Sequence, residues 1–279
     1  MDTYRGFIVW IAGIVVVLGT FMIFVAAGWP GEPDSCVDDS PNTCFCEAYD
    51  IADVQNNEGG VRQPVNTWFN LYSIATSFIV AAVVYVDRVA LGSKAYPNLM
   101  KSKTAVPDLY IFAVLFLGLG SMWFHASLTA WGGVLDGVSM YIFTAFLIAY
   151  SIRRMWDSAI FFWLFYAGIV LLFSALHAFT DIPSFVNILI LIAGYVVVEI
   201  IIWVRSGKVL QGKVGPILLW SFGVLSILTA TFFWWASQTD RFMCDPNSFF
   251  QPHGLFWHPL AGVAGVLVYF YWRAADDPV

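Results

Sequence analysis

Charged side chains are scarce in this sequence. Asp, Glu, Lys and Arg together make up 11% of its 279 residues, whereas they are roughly a quarter of the residues in soluble globular proteins. Hydrophobic residues make up 59%, and the mean hydropathy is +0.74. A soluble chain of this length cannot bury so much apolar surface in one core. The composition therefore excludes a soluble globular protein and predicts an integral membrane protein.

The sequence also lacks an internal repeat, a low-complexity tract and any hydrophilic stretch long enough for a soluble domain. We therefore expect a single membrane domain over residues 1–279. Its basic residues are scattered over short loops, a distribution that gives no support to nucleic-acid binding. The sequence identifies no protein partner.

Long apolar runs, by contrast, are frequent. A run of about 20 residues crosses a hydrocarbon core of roughly 30 Å. The first run could be read as a signal peptide cleaved after Gly28, but it is too long and its basic flank is weak, so we expect a retained helix. The predicted fold class is an all-α membrane protein whose eight spans cover residues 6–28, 64–86, 109–128, 134–152, 159–179, 184–204, 216–236 and 255–272.

The distribution of basic residues predicts the orientation. With the N-terminus inside, the outer loops contain only Arg62 and Arg241. All the other basic residues fall in inner segments, as the positive-inside rule requires, and both termini are then cytoplasmic. These inner residues are Arg5, Arg88, Lys94, Lys101, Lys103, Arg153, Arg154, Arg205, Lys208, Lys213 and Arg273.

The loop over residues 29–63 is acidic and holds three of the four cysteines, Cys36, Cys44 and Cys46. The fourth, Cys244, lies in the last outer loop, so all four fall on the side where disulfides persist. Cys44 and Cys46 are too close to favour pairing with each other. We predict disulfides Cys36–Cys44 and Cys46–Cys244, against the alternative of four free thiols.

The four histidines, His125, His177, His253 and His258, lie at or just beyond the outer ends of the predicted spans. Ionisable groups at membrane depth are costly and are usually functional. Imidazole is also a common zinc ligand, so histidines from different helices at one level suggest a metal site. The alternative is that they merely occupy the membrane interface, as Trp does.

Ser121 and His125 are four residues apart and share one helix face. After a short turn the next helix presents Asp136, so the three side chains should meet at the outer rim of a helical hairpin. The alternative for Asp136 is a capping role near its helix start.

The pattern Ser121-x-x-x-His125, followed eleven residues later by Asp136, resembles the alkaline ceramidases. That family shares a superfamily with the adiponectin and progestin receptors. The Cys46-Glu47 pair and the His-rich start of the last helix strengthen the resemblance. It covers about residues 44–272 and implies a seven-helix core over residues 64–273, preceded by an extra N-terminal helix (1–28) and an outer loop (29–63).

The resemblance also implies the site. Zinc would be bound by His125, His253 and His258, Asp136 would act as general acid and base, and Ser121 would position water or steady the oxyanion. Three protein ligands leave zinc a fourth position for catalysis. The substrate class implied is a ceramide-like membrane lipid.

The histidine spacing departs from that family, whose last pair is i, i+4. His253 and His258 are i, i+5, which on a regular α-helix leaves them about 140° apart. We therefore expect irregular backbone before Pro259, either a non-helical approach or a π-bulge.

The second departure concerns calcium. Of the family's calcium-binding pattern only Glu47 survives, and Gln63 stands at the position of a later Glu. Asp50, Asp53 or Glu58 could supply a substitute oxygen ligand, so Ca²⁺ at Glu47 and Asp50 is a hypothesis beside the expected Zn²⁺.

The leading function is a zinc-dependent amide hydrolase that cleaves ceramide-type lipids to a fatty acid and a sphingoid base. The alternatives are a seven-helix receptor or sensor with structural zinc, and a transporter, for which Glu199 is the only supporting charge. We expect His177 to line the interface or pocket, and Glu199 to snorkel or to pair locally. The compact loops and the extra first helix favour a bacterial inner membrane, with the site on its outer side.

Overall fold

The computed structural model of this chain describes residues 2–37, 44–91, 98–180, 182–206 and 214–275. Lys94, Lys208 and Lys213, which the sequence assigns to inner loops, lie outside the described residues. Within them the chain forms ten α-helices, a 3₁₀ turn at Leu99–Lys101 and a π-helical turn at His253–Trp257. The α-helices are α1 (Asp2–Ala27), α2 (Ile51–Gln55), α3 (Pro64–Phe69), α4 (Tyr72–Leu91), α5 (Ala105–Ser127), α6 (Ala130–Met155), α7 (Ala159–Phe179), α8 (Ser184–Ser206), α9 (Val214–Ala236) and α10 (His258–Ala274).

Eight segments in the described ranges are long and apolar enough to cross a membrane: α1, α3 together with α4, each helix from α5 to α9, and the π turn together with α10. The predicted all-α, multi-pass membrane fold is therefore confirmed. α5 and α6 are the most buried spans, whereas α1 and α7 are the least buried. α1 packs against α4 and α5.

Small residues allow α5 to approach its neighbours closely. A Cβ added at Gly120 would lie 2.7 Å from the Cβ of Ser139 on α6, and one added at Gly118 would lie 2.4 Å from the Cβ of Ser73 on α4. Both distances are too short for any side chain, so these helices are in backbone-level contact. This contact fixes the residues that follow on α5, including Ser121.

The segment between α1 and α3 covers one end of the bundle, which we call the capped end. Backbone hydrogen bonds attach it there: Asp34 N–H donates to the Leu128 carbonyl at 2.9 Å, and Ala48 N–H donates to the Pro246 carbonyl at 3.0 Å. Disulfides Cys36–Cys44 and Cys46–Cys244 are both present, in the pairing that the sequence predicts. The second of them connects the cap to the segment that precedes α10.

At the opposite end, a buried ion pair joins α6 to α8. The Arg154 guanidinium lies 2.9 Å from the Glu199 carboxylate, and both side chains are fully buried. Tyr271 donates to the same carboxylate at 2.6 Å and Trp272 donates to it at 3.0 Å. The predicted span ends at residue 152, whereas α6 continues to Met155, so Arg154 lies inside this helix and not in the loop after it. Glu199 pairs locally, as expected.

Candidate metal centre

Three of the four histidines converge at the capped end. His125 lies in the last turn of α5, His253 begins the π turn and His258 begins α10. All three are buried, and one ring nitrogen from each lies within 4.8 Å of the others. The Nε2 atoms of His125 and His253 are 3.2 Å apart. In the described part of the chain this is the only group of three His, Cys, Asp or Glu side chains with ligand atoms so close together.

The π turn explains how residues five apart reach one point. The backbone N–H of His258 donates to the carbonyl of His253, an i→i+5 bond that turns the two side chains toward the same face. Their ring centroids are 4.7 Å apart. Pro259 follows directly and has no backbone N–H, so it cannot donate an i→i−4 hydrogen bond in a regular α-helix. The predicted irregular backbone is therefore confirmed, and of the two predicted forms the π turn is the one present.

Gln63 orients His125. Its Oε1 lies 2.7 Å from Nδ1 of His125, while its Nε2 donates to the carbonyls of Cys44 and Glu47. The two carbonyls fix the direction of the amide, because a carbonyl can only accept. Nδ1 of His125 must then carry the proton, which leaves the Nε2 lone pair directed at the other two histidines. This is the outer-shell arrangement typical of a metal-binding histidine.

The geometry therefore fits a metal ion. Three buried imidazoles present ring nitrogens to one point, and one of them has its tautomer fixed for coordination. Nδ1 of His253 and Nδ1 of His258 are buried without a protein partner among the described residues. An all-nitrogen set of this kind suits zinc better than calcium or magnesium, which prefer oxygen ligands.

Glu47 caps a helix. Its two carboxylate oxygens accept the backbone N–H groups of Val65 and Asn66, each at 2.8 Å, at the start of α3. Burial raises the pKa of this carboxyl, and the two backbone bonds oppose that rise. Asp50 instead caps α2 by accepting from Ala52 N–H. Since both carboxylates serve as caps, the geometry gives the Ca²⁺ hypothesis no support.

Ser121 and Asp136 lie beside the histidines, as the hairpin argument predicts. Ser121 Oγ is 3.4 Å from Nε2 of His258, and the Ser121 hydroxyl lies close enough to the Asp136 carboxyl to stabilise its charged form. The cap of α6 is Thr129, whose side chain accepts from Gly132 N–H. Asp136 lies well inside the helix and is buried, so the alternative of a capping role for this residue is wrong.

His177 is not part of the three-histidine group. Its Nε2 lies 3.3 Å from the carbonyl of Gly133, and its Nδ1 lies 3.0 Å from Oγ of Ser184. These bonds join α7 to the start of α6 and of α8. Both ring nitrogens thus have protein partners, which agrees with the expected interfacial role.

Two residues at the site carry roles that sequence reasoning missed. Gln63 was considered only as a position where a calcium ligand is lost, whereas it binds His125. The ring of Tyr72 stacks on that of His258, with centroids 6.3 Å apart and an angle of 18° between the planes. The one available signal for Gln63 was a polar side chain directly before an apolar span.

Replacing Gln63 with Leu is expected to weaken zinc binding by about 10–100-fold, the usual effect of removing an outer-shell partner of a ligating histidine. Gln63→Glu keeps an acceptor for His125 and should retain most of the affinity, although it loses the bonds to the cap. Competition for zinc against a chromophoric chelator measures the zinc affinity of both variants. Gln251→Leu is the control, because in the described part of the chain that amide donates to loop carbonyls such as that of Asp245. Equal affinity in Gln63→Leu and Gln251→Leu would contradict the orienting role.

The family model described as Ceramidase matches residues 62–276 of the chain. The match covers all the candidate site residues from Gln63 to His258 and leaves α1 outside. No curated protein matches the chain.

Proposed function

Since this chain belongs to the ceramidase family, we propose that it hydrolyses the amide bond of a ceramide-type membrane lipid, using zinc bound by His125, His253 and His258. The observation that carries the proposal is the buried three-histidine group with Ser121 and Asp136 beside it. A receptor would need the metal but not an acid–base residue next to it.

The proposed chemistry assigns one task to each side chain. Zinc held by three neutral imidazoles supplies Lewis acidity, which polarises a carbonyl and acidifies water. Asp136 accepts a proton from the attacking water and returns it to the amide nitrogen as the C–N bond breaks. Ser121 donates a hydrogen bond to the oxygen that becomes negatively charged. One water is consumed, and the products are a fatty acid and a free amine.

The position of the site suits such a substrate. The three histidines lie at the capped end of the spans, so a lipid could keep its chains among the helices while its amide reaches the histidines. Burial of the site also keeps bulk water away, which strengthens hydrogen bonds to developing charge. These features support a lipid rather than a soluble amide as substrate.

The alternatives have less support. Glu199, the one charge that favoured a transporter, is bonded to Arg154, Tyr271 and Trp272 inside the bundle. No side chain in the described ranges supports a signalling role in the way that Asp136 supports catalysis. A zinc-binding receptor stays as the outcome that the following experiment must distinguish.

The test combines metal analysis with an amidase assay. Purified protein should contain zinc and should release fatty acid and sphingoid base from a ceramide panel, as measured by mass spectrometry. Chelation should stop release and added zinc should restore it. Protein that holds zinc but cleaves no ceramide would favour a receptor, and protein without zinc would remove the proposed site.

Ser121→Ala is expected to lower kcat by on the order of 10²–10³, the usual effect of losing one oxyanion donor. Zinc content should stay unchanged, because the hydroxyl is not one of the proposed ligands. Ser77→Ala is a matched control, since this buried hydroxyl donates to the Ile74 carbonyl within α4. If kcat of Ser121→Ala equals that of Ser77→Ala, the proposed donor role is wrong.

We further propose that the capped end faces outward, in agreement with the basic-residue distribution and the disulfides. A cysteine placed at Arg241 should react with a membrane-impermeant maleimide in intact cells. Cysteines at Lys94 and Lys208 should react only after permeabilisation. Asp157 is a better inner probe than the buried Arg154, because its side chain is 89% exposed. Labelling of Asp157→Cys in intact cells would reverse the orientation.

A further inference from the structure

A groove of about 840 Å³ lies between α1 and the face formed by α4 and α5. Each of these helices belongs to a membrane span, so the groove lies at the depth of the lipid chains. None of the site residues Ser121, His125 and Asp136 lines it. The groove is therefore separate from the candidate metal centre and belongs to the extra helix.

α1 contacts the core through aromatic side chains at both ends of the groove. Phe7 lies 5.9 Å from Phe78 of α4 near one end, and Phe21 lies 5.9 Å from Trp123 of α5 near the other. Between these contacts α1 carries Gly13, where an added Cβ would meet nothing within 4 Å. Glycine in a membrane helix usually allows a neighbouring helix to pack closely. Gly13 instead leaves space between α1 and the core.

The two charged side chains of the groove lie toward the end opposite the cap. Arg88 and Asp108 form an ion pair there with two bonds of 2.8 Å. Trp10 also lines the groove, and its buried Nε1 has no acceptor among the described residues. The apolar run of α1 begins at Gly6, directly after Arg5, and Trp10 lies four residues further on, about 6 Å along the helix axis. At that depth the ester carbonyls of glycerophospholipids are the available acceptors.

We propose that this groove binds one glycerophospholipid from the leaflet opposite the cap. An acyl chain fills the space beside Gly13, and an ester carbonyl accepts the hydrogen bond of Trp10. An empty groove would forfeit dispersion contacts along both walls, and a buried N–H without a partner is costly. The bound lipid removes both costs and attaches α1 to the core. This site does not depend on the proposed enzymatic function.

The test is native mass spectrometry of the full chain released from nanodiscs of dioleoylphosphatidylglycerol that also contain ceramide. Wild-type protein should retain one phospholipid. Gly13→Leu fills the groove with a side chain and should lose that lipid, and Gly6→Leu, at a second open position on the wall, should do the same. Gly19→Leu is the matched control, because Gly19 is equally open but does not line the groove. Trp10→Phe should reduce retention without filling the space.

Three outcomes would overturn the proposal. The first is equal lipid retention by Gly13→Leu, Gly6→Leu and Gly19→Leu. The second is a wild-type protein that carries no phospholipid. The third is a different occupant: retained ceramide, which would make the groove part of substrate binding, or a dimer broken by Gly13→Leu, which would make it a helix–helix interface. Thermal unfolding of each variant identifies any that fails to fold. If Gly13→Leu does not fold, lipid retention by Gly6→Leu tests the proposal instead.

Discussion

Asp136→Asn is expected to abolish ceramide hydrolysis while the protein keeps its zinc. An amide has the shape of the carboxylate but cannot accept a proton from water and return it to the leaving nitrogen. Loss of a general acid–base group costs on the order of 10²–10⁴ in rate. Asp136 is buried next to Ser121 but is outside the group of three histidines that could hold the metal. Metal content should therefore be unaffected.

The measurement is kcat together with zinc per protein, both on the same preparation. Asp157→Asn is the control, because this carboxylate lies just beyond the other end of α6, where it pairs with Arg153. It should keep both activity and zinc. If Asp136→Asn loses as much zinc as a histidine variant, the residue is a ligand and the roles assigned above are wrong.

The spans could be predicted from hydropathy, but some of their ends could not. α5 begins at Ala105, four residues before the predicted start at residue 109, and its first turn includes the charged Asp108. In the structure Arg88 neutralises that charge. Likewise α6 begins at Ala130, because Thr129 caps it there. Gly132 and Gly133, which suggest a turn in the sequence, are part of this helix. Hydropathy averaged over a sequence window cannot detect ion pairs between segments or helix caps.

The candidate site could be predicted in part. The spacing of Ser121, His125 and Asp136 is local, so helix periodicity sufficed to place them together. His253 and His258 can converge only if the backbone between them is irregular. The i, i+5 spacing predicted this irregularity but left open whether it is a non-helical approach or a π-bulge. The role of Gln63 depends on how the cap folds over α3 and α5. That arrangement is long-range, and no local pattern encodes it.

Replacement of any one of His125, His253 and His258 by Ala is expected to abolish both zinc binding and activity. A catalytic zinc is normally held by three protein ligands, and two imidazoles hold it poorly. The three rings are buried, and their centroids lie 4.7–5.5 Å from one another. The structure places no other His, Cys, Asp or Glu ligand atom in the group among the described residues. No described side chain is thus positioned to replace a missing ligand.

His177→Ala is the matched control, since it is the remaining histidine and lies at the same end of the bundle. Its ring bonds to Gly133 and Ser184 and not to the group. It should keep zinc and turnover, with at most a modest loss of thermal stability. Zinc content by elemental analysis, kcat and unfolding temperature should be measured for all four variants. A variant of His253 or His258 that keeps full zinc would show that the π turn does not serve metal binding. Zinc loss in His177→Ala alone would move the metal to the junction of α6, α7 and α8.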